Sequence, residues 1–206
     1  MRRPACVVSI LAVAILLSGC VTASETAAPT PEPPSTAAPS ASVPTPTPTT
    51  DPADPSTWLI SEAGIGPITL NAPFSDAVAQ LPTDVERDPE VCTHSVLWQD
   101  ADGDNLWIVR DASRDDAAPL ELVEWGDWTE PYDVGGPRTA AGIGVGSTVD
   151  EVWAAYPDAL ETTQRISPDI HYISVDAIFF SYREPSTVIN VVTVTDAEQP
   201  PYEICG

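Results

Sequence analysis

The chain has 206 residues, of which 31 are Asp or Glu and only 8 are Arg, with no Lys, for a formal net charge of −23. Nucleic-acid binding needs basic groups that displace counterions from phosphates, so this balance excludes it, and it disfavours adsorption to anionic lipid. The acidity itself reads as solubility of an exported protein before it reads as recognition of any basic partner.

The first elements in chain order are not fold. Arg2 and Arg3 precede the apolar run "ACVVSILAVAILL", too short for a comfortable membrane span. The run ends in Leu17-Ser18-Gly19-Cys20, which resembles the bacterial lipobox. That resemblance implies a lipoprotein signal peptide at 1–19, removed after the Cys20 sulfur takes a diacylglyceryl group. Cys20 is then the lipidated N-terminus; the alternative is an ordinary secretory signal in which it is incidental. Burial of acyl chains contributes ~0.8 kcal/mol per methylene, so a doubly or triply acylated terminus anchors stably. The expected place is the outer face of the cytoplasmic membrane of a Gram-positive-like cell.

Residues 20–56 are a Pro/Thr/Ser/Ala tract almost without large apolar side chains. Such a segment cannot offset the entropy of ordering, and its proline density favours an extended, semi-rigid stalk. The Ser/Thr-Pro composition also suits O-glycosylation. The remainder, 57–206, is one domain's worth of chain. Of the four cysteines, Cys6 leaves with the signal and Cys20 carries lipid, which leaves Cys92 and Cys205 for one disulfide in an oxidising compartment. Such a bridge closes a loop on the order of a hundred residues, nominally ~4.7 kcal/mol by the chain-entropy model.

Within the domain, "EAGIGPITLNAPFSDAVAQLP" (62–82) and "AAGIGVGSTVDEVWAAYP" (140–157) share an order of parts. Each has Ala-Gly-Ile-Gly, a polar break, an acidic residue near a valine, and a closing proline. Thr148 with Glu151 forms a capping box, and Val149, Val152, Trp153 and Tyr156 fall on one helical face. Three strand-like runs follow each helix: "CTHSVLWQ", "NLWIVRD" and "LELVEW", then "IHYIS", "AIFFSY" and "VINVVTVT". The expected fold class is α+β, with two tandem helix-plus-three-stranded-meander units (about 58–130 and 137–206) forming an antiparallel sheet with helices on one face. Tandem units of this pattern resemble the β-lactamase-inhibitor-like and small outer-membrane assembly lipoprotein group. The resemblance implies an exported module presenting a sheet for protein contact, and carries over no functional residue. The acidic balance and proline stalk resemble lipoproteins of high-GC Gram-positive bacteria.

Gly142-x-Gly144-x-Gly146 invites comparison with a dinucleotide-binding loop. That fingerprint requires G-x-G-x-x-G directly after a buried strand in a βαβ unit. Here Ser147 stands where the third glycine belongs, a loop precedes it, and Pro67 interrupts the matching copy. The glycines read as tight turns with close backbone approach, repeated because the unit is repeated.

Asp100, Asp102, Asp104 and Asp111 have partial calcium-loop spacing, but Asn105 replaces the required glycine, and Asp102-Gly103 between strand-like runs predicts a hairpin turn. His94 and His171 occupy similar places in the two units and read as packing residues, so no metal ligand is assigned. No G-x-S-x-G nucleophile elbow occurs, and no catalytic residue or cofactor is assigned. The aromatic residues are more suggestive. Trp98, Trp107, Trp125 and Trp128 lie in or beside the first meander, and "NLWIVR" and "ELVEW" carry apolar residues on both faces. The second face is therefore either covered, by 58–70 or 126–140, or it is a binding surface. The expectation is a non-enzymatic protein-binding or inhibitor-like module with a protein partner. The alternative is a cell-envelope small-ligand or glycan sensor, and a hydrolase is the weaker third.

Overall fold

The structure, a computed structural model, describes residues 51–81, 92–99, 105–111, 115–128 and 136–204. The chain divides into the units Met1–Pro44 and Thr45–Gly206, and every described residue belongs to the second. The signal segment, Cys20, nearly all of the stalk, Pro82, the Asp102-Gly103 turn and Cys205 lie outside the described residues.

After a 3₁₀ turn at Pro55–Thr57, three short strands follow in quick succession: β1 (Leu59–Ser61), β2 (Gly64–Ile65) and β3 (Ile68–Thr69). Helix α1 (Phe74–Gln80) leads to the meander β4 (Ser95–Gln99), β5 (Asn105–Arg110) and β6 (Leu120–Gly126). Strand β7 (Arg138–Thr139) and helix α2 (Val149–Ala155) precede β8 (Leu160–Thr163), β9 (Ile170–Val175), β10 (Ile178–Arg183) and β11 (Val191–Thr195). These make a four-stranded sheet, β3-β2-β1-β7, and a seven-stranded sheet, β4-β5-β6-β11-β10-β9-β8.

The α+β expectation is therefore corrected. The described residues form a mostly-β protein of eleven strands in two sheets, with only two short helices. The two causes are local. Each helix has seven residues, two turns, and fully buries only Phe74 and Ala77 in α1 and Val152 in α2. Neither is long enough to cover a sheet. The Ala-Gly-Ile-Gly segment at 63–66, expected to be a turn opening a helical unit, pairs as strand instead: Ile60 faces Ile65 and Ile65 faces Ile68 across the ladder. Gly64 makes this possible with φ +145°; a Cβ there would stand 2.0 Å from the Ile68 carbonyl oxygen. Its counterpart Gly142 has φ +82° with open space around it, so the repeated glycines have different tasks.

The core lies between the sheets. Trp58, Ile60, Ile65 and Ile68 pack from the small sheet against Leu106, Ile108, Val123, Trp125, Val192 and Phe180 on the inner face of the large one. Trp125 is central, with ring centroids 6.4 Å from Trp58 and 6.3 Å from Trp98. The predicted capping box forms: Thr148 Oγ1 accepts from the Glu151 amide at 3.2 Å, and Glu151 Oε2 accepts from the Thr148 amide at 2.8 Å. The Thr148 amide, and the Thr148 hydroxyl that also donates to Oε2 at 3.0 Å, hold the Glu151 carboxyl below its ordinary pKa. Val149, Trp153 and Tyr156 lie half-buried against the core, as one helical face should.

Candidate ligand cleft

The opposite, outer face of the seven-stranded sheet carries the candidate site. Side chains alternate along each strand, so cross-strand registers define which residues share this face. One row runs Trp107 (β5), Glu124 (β6), Thr193 (β11), Phe179 (β10). The next row includes Val191, Ser181 and Tyr172. Ile170, Tyr172 and Phe179 form a small second apolar cluster, against which Trp128 packs. Arg183 lies over the Trp128 ring at 5.0 Å and is ion-paired with Asp169 at 3.3 Å.

The C-terminal segment 200–204 forms one wall. It is tied to the start of β4 by a 2.6 Å hydrogen bond between His94 Nε2 and the Ile204 carbonyl oxygen. Cys92 is disulfide-bonded, with its Sγ 4.0 Å from that same carbonyl oxygen. Cys205, the expected partner, lies outside the described residues. Between this wall and the sheet lies a cavity of about 410 Å³, with Trp107, Trp128 and Tyr202 at its sides and Glu124, Thr193 and Ser181 on its floor. Its volume is within the ~300–1,000 Å³ range of small-molecule sites.

The floor has unusual polarity for a sheet face. Thr193 Oγ1 donates to Glu124 Oε2 at 2.8 Å. Burial pushes the Glu124 carboxyl up to about 7, with the Thr193 hydroxyl pulling partly back. Tyr172 is raised by burial and, less, by the Glu124 charge; its hydroxyl accepts from Gln164 Nε2 at 3.3 Å. Ser181 is 1% exposed, and its Oγ has no hydrogen-bond partner. A buried hydroxyl left unpaired costs about 1–3 kcal/mol, a cost that a water or a ligand group in the cleft would relieve.

The four tryptophans proposed as one surface are divided by the sheet. Trp98 and Trp125 point inward and are buried in the main core, whereas Trp107 and Trp128 line the cleft. The segment 58–70, considered as a cover for the second face, covers the first instead. The second face is covered only in part, by Trp128 and residues 200–204. Glu124, Ser181 and Thr193 were missed at the sequence level. Glu124 alone carried a signal: an acidic residue in the apolar stretch Leu122–Trp125 of β6, on the face shared with Leu122.

No known family, curated protein or solved structure matches the chain. In the glycine loop, the amide of Gly142 donates to Thr139 O, those of Ile143 and Gly144 to Thr139 Oγ1 and Ser147 Oγ, and that of Gly146 to Ile189 O. The Arg138 guanidinium donates to the Gly142 and Val145 carbonyls and to Ser147 Oγ. Amides already paired inside the loop are not aimed at a phosphate. The segment of the aspartate loop, 100–104, connects β4 to β5, which pair antiparallel with Gln99 opposite Asn105. His94 precedes β4, at one end of the sheet, and His171 lies on β9, near the other. Five strand spacings of ~4.8 Å keep them from sharing a metal. Instead, His171 stacks on Tyr182 at 4.8 Å and lies between Glu161 and Glu184, at 3.1 and 3.5 Å. Among the described residues no group of three His, Cys, Asp or Glu is placed to hold a metal ion.

Proposed function

We propose that this chain is an exported lipoprotein, anchored through Cys20 on the outer face of the cytoplasmic membrane. Its domain is a non-enzymatic binding module that takes a small ligand in the cleft over the seven-stranded sheet. The observation that carries the reading is Ser181 Oγ, buried on the cleft floor with no partner. Concavity favours a small molecule or a short glycan over the protein partner that the sequence put first. Among the described residues, the exposed large apolar side chains Leu59, Leu160, Ile166 and Tyr202 sit on four different elements or loops, not on one shared strand or helix. Ser181 also has no hydrogen-bonded base, which a serine nucleophile needs, and this supports binding over hydrolysis.

Two measurements test this reading. In a thermal-shift screen of the full-length protein in neutral detergent against envelope glycans, amines and metabolites, at least one class raises Tm. Trp107→Ala, which removes a cleft wall, abolishes the rise. A screen without any shift, alongside recovery of a defined envelope protein by cross-linking, would return the function to a protein partner. Cys20→Ser moves the protein from the membrane to the soluble fraction; unchanged retention would disprove the lipid anchor.

A further inference from the structure

The cleft's charge and walls narrow its ligand further, given that it binds a small molecule. Its charged lining consists of Glu124 on the floor, Glu203 on the C-terminal wall and Arg183 at the side. Arg183 is already neutralised by Asp169 and occupies one face of Trp128. The remaining balance is anionic. Glu124 lies between Trp107 and Thr193 in the ladder and receives its hydrogen bond from a neutral hydroxyl. A half-buried carboxylate in contact with a neutral donor is stabilised strongly by a cation that enters the site. Trp107 offers a ring beside it, and aromatic faces attract cations, more so where water is excluded. The net charge of −23 raises the local concentration of cations around the whole molecule.

From this geometry we infer that the cleft is a site for a small organic cation, an amine or quaternary ammonium compound. Its charge sits between Glu124 and Trp107, and a polar group of the same ligand reaches Ser181 Oγ. The cation favours the ionised form of Glu124, so binding near neutral pH releases a fraction of a proton. Tyr172, Tyr202, Glu203 and Arg183 are the other titratable or charged groups that line the cleft.

The test is isothermal titration of the full-length protein in neutral detergent with benzyltrimethylammonium, benzyl alcohol and N-acetylglucosamine as probes. Benzyltrimethylammonium is expected to bind at least tenfold more tightly than benzyl alcohol, with weakening at high salt. Titration at pH 7 in buffers of different ionisation enthalpy is expected to show proton release. Glu124→Gln should weaken binding of the cation at least tenfold and abolish that release. Equal affinity for the cation and benzyl alcohol, or an unchanged cation affinity in Glu124→Gln, would overturn the inference. Binding of N-acetylglucosamine alone, lost in Trp107→Ala, would overturn the cation and leave the small-ligand cleft standing. Binding of none of the three, with no hit in the wider thermal-shift screen, would overturn both. The proton-release measurement on the unsubstituted protein keeps the inference testable even if the variant folds poorly.

Discussion

Trp125→Ala is expected to destabilise the domain by about 3–5 kcal/mol, the range for removing a buried large aromatic side chain. For a domain of this size that corresponds to a fall in Tm on the order of 10–15 °C. Trp125 is 1% exposed at the centre of the inner face, touching Trp58 from the small sheet and Trp98 from β4. Gly136 approaches it so closely that a Cβ there would lie 2.2 Å from the indole Nε1. Truncation leaves a cavity bounded by three separate segments, and a ladder held by backbone hydrogen bonds cannot collapse into it. Trp107→Ala on β5 is the control. Trp107 is only half-buried, on the outer face, so its loss is expected to cost about 1 kcal/mol or less in stability while removing ligand binding. Denaturant unfolding of both variants measures the contrast. Similar losses would contradict the division of the tryptophans between two faces of one sheet.

Glu124→Gln is expected to do the opposite and stabilise the protein at pH 8, by about 1–3 kcal/mol. The sign follows from the direction of the shift. Burial raises the folded-state pKa to about 7 from 4.5, so the folded protein holds this proton more tightly than the unfolded chain. The contribution of Glu124 to stability is largest below pH 4.5, declines as the pH rises towards 7, and stays low above it. Glutamine keeps the acceptor for Thr193 Oγ1 without the charge, so the variant lacks this decline. Urea midpoints between pH 4.5 and 8.5 check the point; parallel profiles for the two proteins would show that Glu124 titrates normally. A carboxylate that weakens the fold at neutral pH is understandable if the cleft needs it. The same substitution is then expected to strengthen the protein and weaken its binding of cations.

Much of the strand content was legible. "NLWIVRD" became β5, "LELVEW" β6 and "AIFFSY" the greater part of β10, because β-branched and aromatic residues in short runs bounded by turns suit a pleated surface. The α2 cap was legible as well, since Thr148 and Glu151 satisfy each other within a single turn. What misled was the similarity of the two glycine segments. Identical letters at 63–66 and 141–144 suggested identical roles, but the first pairs as strands β2 and its flanks, and the second closes around Arg138.

By itself the sequence determined what depends on residues close together in the chain: the signal-like N-terminus, the proline tract, the α2 cap and the strand runs. It also settled the anionic balance, because charge is a sum and needs no geometry. Tertiary structure alone decided the fold class, because whether a helix or a second sheet covers the core depends on which distant apolar faces meet. It alone decided which tryptophans face the core, because Trp98 and Trp107, on adjacent strands, point to opposite sides according to register. The cleft too is a tertiary product. Glu124 is far in the chain from Ser181 and Thr193 and meets them only because β6 lies beside β11, which lies beside β10, and the wall above them comes from residues 200–204.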